Sequence, residues 1–132
     1  MFKSLYVGGL FLVSSCLLFA PTAARPWALA SADFDGDGKA DVAVAGLGDR
    51  VVHVRLSSGR TVELAMDSLP VALAAGDVNG DGKPDLVVAA GAYVEVLLSN
   101  GDGTFQDAVK VDAGDSPASV AAGDVNGDGR AD

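Results

Sequence analysis

Asp77-Val78-Asn79-Gly80-Asp81-Gly82-Lys83-Pro84-Asp85 is the stretch from which the rest of the chain is read. Oxygen-bearing side chains stand at loop positions 1, 3, 5 and 9, and the peptide carbonyl of Lys83 at position 7 offers a fifth oxygen. That is the donor pattern of a loop built around a hard cation. Gly80 and Gly82 let the backbone turn sharply enough for side chains two residues apart to converge, because a residue without Cβ enters positive φ cheaply. Three carboxylates brought so close repel one another, so the cluster makes physical sense when a divalent ion neutralises it.

The nine-residue pattern occurs three times. It returns as Asp33-Phe34-Asp35-Gly36-Asp37-Gly38-Lys39-Ala40-Asp41 and as Asp124-Val125-Asn126-Gly127-Asp128-Gly129-Arg130-Ala131-Asp132, with Lys39 and Arg130 as the carbonyl donors matching Lys83. The first residues of successive loops are 44 and 47 positions apart. A period of that size belongs to repeat architectures, in which a four-stranded blade takes about 40 to 50 residues.

Charge follows the loops. All 18 acidic residues lie after Ser31, against 7 basic ones there, a formal charge of −11, and ten of those acids belong to the three loops. The negative charge is mostly a ligand count. A nucleic-acid partner is excluded, since a phosphate-backbone binder needs clustered Lys and Arg.

The first 30 residues read as an export leader: a positive start at Lys3, an apolar run from Leu5 to Ala20, then Pro21. Ala28-Leu29-Ala30 is the expected cleavage site and Thr22-Ala23-Ala24 the earlier option; the run is too short for a membrane span. The single cysteine, Cys16, falls in this leader, so the mature chain carries no disulfide. Val13-Ser14-Ser15-Cys16 also has the form of a weak lipobox, in which Cys16 would be acylated. The expected location is therefore extracellular or at the cell surface, with the periplasm and a lipid anchor as alternatives.

Period-2 alternation places the strands. Val52, Val54 and Leu56 alternate with His53 and Arg55, and Ser57-Ser58-Gly59 turns the chain toward Thr61–Ala65. Val71–Ala75 is expected as the fourth strand of the first repeat. In the second, Leu86–Ala90 is a continuous apolar strand, Tyr93–Leu98 alternates, and Asn100-Gly101-Asp102-Gly103 turns into a strand over Thr104–Val111. No useful helical periodicity interrupts this. The expected fold is all-β, a partial propeller of about two four-stranded blades plus the start of a third. Two blades do not close a ring of about 4 to 8, so the chain reads as part of a longer array, the alternative being self-association that completes the ring.

Ala75-Gly76 through Val87-Val88, followed by Asn100-Gly101-Asp102-Gly103-Thr104-Phe105, closely resembles the FG-GAP-like or VCBS-type repeat of integrin α-subunit propellers and secreted bacterial proteins. The resemblance spans residues 31–132. It implies a seven-bladed type of propeller, extracellular placement, and Ca²⁺ in the loop between the first two strands of each blade. The implied ligands are Asp33, Asp35, Asp37 and Asp41 in loop one, Asp77, Asn79, Asp81 and Asp85 in loop two, and Asp124, Asn126, Asp128 and Asp132 in loop three. The first repeat departs from the family in its turn, where Ser57-Ser58-Gly59 replaces the Asn-Gly-Asp-Gly form.

Competing loops fit less well. An EF-hand needs a bidentate acid at position 12, where this chain has Val44 and Val88, and a dockerin continues into an amphipathic helix. Magnesium prefers to keep its waters, and zinc lacks its Cys and His ligands here. A plain Asx-rich turn does not need four oxygen side chains in one order three times over. His53 reads as a solvated strand residue, Ser57-Ser58 as turn, and Glu63 and Glu95 as carboxylates of different repeats. Trp27, Tyr93 and Phe105 read as packing or spacer residues. No catalytic constellation stands out. The expected function is a non-enzymatic, exported calcium-binding module for extracellular binding or adhesion, with a protein or carbohydrate ligand. The alternative is an accessory propeller region of a larger secreted enzyme.

Overall fold

The computed structural model describes residues 28–46 and 48–132; the apolar run, Cys16 and Trp27 lie outside the described residues. Eight strands follow in order: β1 (Ala28–Ala32), β2 (Asp41–Ala45), β3 (Val51–Arg55), β4 (Thr61–Ala65), β5 (Pro70–Gly76), β6 (Asp85–Ala90), β7 (Tyr93–Leu97) and β8 (Val109–Asp112). They form two four-stranded sheets, β1-β2-β3-β4 and β5-β6-β7-β8, antiparallel throughout, with no helix among the described residues. Each sheet is a meander of the propeller-blade type.

The period-2 pattern explains how the blades stack. In the first sheet Ala30 lies opposite Ala43, Ala43 opposite Val54 and Val54 opposite Val62, so small and β-branched side chains line one face. In the second, Leu73 lies opposite Val88 and Leu86 opposite Leu97. These two faces join in one core with Phe34, Leu56 and Met66. Burying side chains of this size contributes about 1.5–3 kcal/mol each, and the smaller alanines let the sheets approach closely.

Phe34 belongs to the first loop yet is fully buried, because it reaches across to the second blade. Its carbonyl accepts the N–H of Gly103 at 3.0 Å. Gly103 has φ +88°, and a Cβ there would stand 2.7 Å from Leu56 Cδ1 and 2.6 Å from Arg60 Nη2. Both the backbone conformation and the close approach of the blades require glycine.

Two strand expectations are corrected. Val71–Ala75 does not close the first sheet; as part of β5 it opens the second, and the strand that opens the first is Ala28–Ala32. The loop itself dictates this. Its ends pair directly, Ala32 with Asp41 and Gly76 with Asp85, so the segment before each loop must join the sheet that follows it. The Ala28–Ala30 cleavage motif therefore lies inside β1. The second correction concerns Thr104–Val111, of which only Val109–Val111 joins β8. Phe105 is held instead in an isolated bridge with Ser99, and Gln106 N–H bonds to Leu98 O at 2.8 Å.

Candidate metal-binding loops

The three nine-residue loops share one hydrogen-bond scheme. In loop one, Asp33 Oδ1 accepts from Gly36 N (2.8 Å) and Asp37 N (3.1 Å), while Oδ2 accepts from Gly38 N (2.8 Å). In loop two, Asp77 takes Gly80 N (2.8 Å), Asp81 N (3.1 Å) and Gly82 N (2.8 Å). Asp124 takes Gly127 N (2.7 Å), Asp128 N (3.1 Å) and Gly129 N (2.9 Å) in loop three. Position 3 accepts from the N–H of position 5 in every loop. Position 5 accepts in turn from the N–H of Lys39, Lys83 or Arg130.

This winding needs the glycines. Gly36, Gly38, Gly80, Gly82, Gly127 and Gly129 all have φ between +76° and +86°. The effect is to turn oxygens inward. Ligand oxygens of Asp33, Asp35 and Asp37 lie within 4.8 Å of one another, as do those of Asp77, Asp81 and Asp85. The three acids of loop three, Asp124, Asp128 and Asp132, are not drawn into such a group.

The ninth residue anchors each loop to its blade. Asp41 is buried; Oδ2 accepts Phe34 N at 2.7 Å and Oδ1 accepts Ser57 N at 2.8 Å. Asp85 is fully buried and repeats this with Val78 N (2.9 Å) and Ser99 N (2.8 Å). Asp132 keeps the first of these bonds, from Val125 N at 2.9 Å, but is exposed.

Electrostatics follow the same geometry. Burial pushes the Asp85 carboxyl up against the pull of the Ser99 and Val78 N–H groups, and the charges of Asp81 and Asp77 add to the rise. Burial also raises Asp35, helped by the neighbouring charges of Asp41 and Asp37. Asp37 is held low, first by the Ser57 hydroxyl and then by Lys39 N–H. For Asp77 burial acts upward, but the N–H groups of Gly82, Gly80 and Asp81 together outweigh it and lower the carboxyl.

The donor set fits a hard divalent cation: carboxylate and amide oxygens only, with neither Cys nor His. Loops one and two lie side by side, Asp33 and Gly36 sharing an open cleft of about 410 Å³ with Lys83 and Asn100. Loop three docks on loop two through Ala131 N–H to Asp77 O at 2.6 Å.

Other sequence candidates stay outside these sites. His53 Nε2 lies 3.3 Å from Asp49 Oδ2 and His53 Nδ1 lies 3.7 Å from Glu63 Oε1, on the first sheet. Glu95 is buried in β7 of the second. Two serines were not foreseen as partners of the loops: Ser57 and Ser99, which lie 16 and 14 residues beyond the ninth loop residue they contact. Their signal was the recurrence of a Leu-Ser pair immediately after the strand paired to β2 or β6, which puts each serine two residues past the strand end.

The FG-GAP repeat matches residues 25–52 and the FG-GAP-like repeat matches residues 77–132. No curated protein matches the chain. The first match spans β1, loop one and β2, and the second begins on the first residue of loop two, so the chain carries FG-GAP repeats, which indicate an integrin-like β-propeller module.

Proposed function

We propose that the chain is an exported calcium-binding repeat module that acts in extracellular binding or adhesion rather than in catalysis. One observation carries the calcium reading: the same oxygen-only loop recurs three times with the same internal hydrogen bonds. Asp33, Asp35, Asp37 and Asp41, then Asp77, Asn79, Asp81 and Asp85, then Asp124, Asn126, Asp128 and Asp132 would hold the ion, with the carbonyls of Lys39, Lys83 and Arg130 as further donors. Bound calcium would cancel the repulsion within each cluster and tie the first two strands of a blade together, so that binding adds to folding stability.

Export follows from the leader, and FG-GAP modules are generally non-catalytic. The partner class is an extracellular protein or carbohydrate. Removal of the leader at Thr22–Ala24 leaves β1 whole, whereas cleavage after Ala30 would take three of its five residues, Ala28, Leu29 and Ala30. N-terminal sequencing of the exported protein is expected to give a start before Ala28.

Calorimetric titration of the full chain with calcium, with circular dichroism on the same samples, tests the central claim. Saturable binding approaching three ions per chain, absent with magnesium at equal concentration, is expected. No binding heat and no thermal stabilisation by calcium would overturn it.

A further inference from the structure

Resting on the calcium reading of loop one, we propose that Ser57 is a positioning residue of that site, orienting two of its carboxylates and setting loop one apart from loop two. Its hydroxyl donates to Asp37 Oδ2 at 2.7 Å and its N–H donates to Asp41 Oδ1 at 2.8 Å. The other oxygen of each carboxylate is held as well, Asp37 Oδ1 by Lys39 N–H at 2.8 Å and Asp41 Oδ2 by Phe34 N–H at 2.7 Å. A carboxylate oxygen that accepts one hydrogen bond keeps a lone pair for a cation, so these contacts fix direction without consuming the donor.

Loop two lacks this arrangement. Ser99 stands where Ser57 does and its N–H reaches Asp85 Oδ1 at 2.8 Å, but its hydroxyl accepts Gly101 N–H at 3.0 Å inside its own turn. Asp81 Oδ2 accepts instead from Asn79 Nδ2, at 3.3 Å, within the same loop. Turn length is the cause. The first blade closes its turn between Leu56 and Arg60, with Leu56 N–H to Arg60 O at 2.8 Å and Gly59 N–H to Leu56 O at 2.9 Å. The second spreads from Leu98 to Gln106 and draws its serine inward. The short Ser57-Ser58-Gly59 turn, which departs from the family form, thereby frees a hydroxyl for the loop.

Loop one also carries Asp35 where loop two has Asn79, four carboxylates against three. A site with more charge and less ordering left to do binds calcium more tightly. Loop one is therefore the tighter of the two, and Ser57 is part of the reason.

The test is a calcium titration of the isotope-labelled full chain, followed through the backbone amides of Gly36 and Gly38 for loop one and Gly80 and Gly82 for loop two. Loop one is expected to saturate at lower calcium than loop two. Ser57→Ala should raise the loop-one midpoint roughly tenfold, as removal of outer-shell partners does, and leave loop two in place. Ser57→Thr should restore the midpoint, and Ser58→Ala in the same turn should change neither loop. An unchanged loop-one midpoint in Ser57→Ala, or equal shifts in both loops, overturns the proposal. Calcium-insensitive glycines in the unmutated chain would instead overturn the calcium reading, and this proposal with it.

Discussion

The ring of Phe34, carried by the first loop, meets the ring of Phe105 in the second blade edge-on, with 5.4 Å between centroids and 60° between planes. A residue at the second position of an acidic loop thus serves as an inter-blade anchor, and the loop cannot move without disturbing the core. Phe34→Ala is expected to cost about 3–5 kcal/mol, the range for losing a buried aromatic. Phe105 is only partly buried, so Phe105→Ala should cost less. Denaturant unfolding of both single variants and the double should reveal a coupling of about 0.5–1.5 kcal/mol. Strict additivity would show that the ring contact contributes nothing of its own.

Glycines test the same interface from the other side. Gly59 and Gly103 both sit at positive φ, +96° and +88°, but a Cβ at Gly59 meets nothing within 4 Å whereas one at Gly103 runs into Leu56 and Arg60. Gly59→Ala is expected to cost only the backbone term, about 1–2 kcal/mol. Gly103→Ala should cost more, because the side chains packed from the first blade must also shift. Thermal unfolding of the two variants decides it, and equal losses would mean that the blades give way freely at Gly103.

Much of this was legible because the informative residues are local. The oxygen positions of the loops, their glycines and the alternation of Val52 and Val54 are short-range patterns, and they predicted both the loops and the half-buried strands. Strand membership was harder. Val71–Ala75 reads equally well as closing one blade or opening the next, and pairing of Gly76 with Asp85 decides it only in three dimensions. Ala28–Ala32 carries the small residues of both a cleavage site and a tightly packed strand. Ser57 could not be read at all as a partner of Asp37, since the contact spans 20 residues and depends on how tightly the intervening turn closes.

Glu95 gives the pH prediction. It is buried in β7 between Val88 and Lys110, while the Lys110 ammonium is engaged with Asp67. Burial raises its carboxyl above the usual range. A carboxyl raised by folding holds its proton more tightly in the folded than in the unfolded state. Ionisation therefore opposes folding at pH above the raised value, and the penalty is relieved as pH falls through it. Glu95→Gln is expected to raise the melting temperature at neutral pH, with the gain shrinking in acid. A lower melting temperature at neutral pH would show that the ionised form is stabilised in the folded chain.

Asp81 and Asp102 separate a proposed ligand from a turn residue within one blade. Asp81 Oδ1 accepts Lys83 N–H at 2.9 Å, and its oxygens converge with those of Asp77 and Asp85. Asp102 Oδ1 faces away into a hairpin, where it accepts Thr104 N–H at 2.9 Å and the Thr104 hydroxyl at 2.5 Å; that hydroxyl, with the N–H, lowers its carboxyl. Asp81→Ala should weaken calcium binding at loop two and leave loop one saturable, because it removes an inward-facing oxygen and one negative charge from the cluster. Asp102→Ala should leave every calcium midpoint in place and cost about 1 kcal/mol of stability through the lost turn hydrogen bonds. Calcium titration and denaturant unfolding of the two variants measure both effects. Equal losses of calcium affinity would mean that the ligands of loop two have been misassigned.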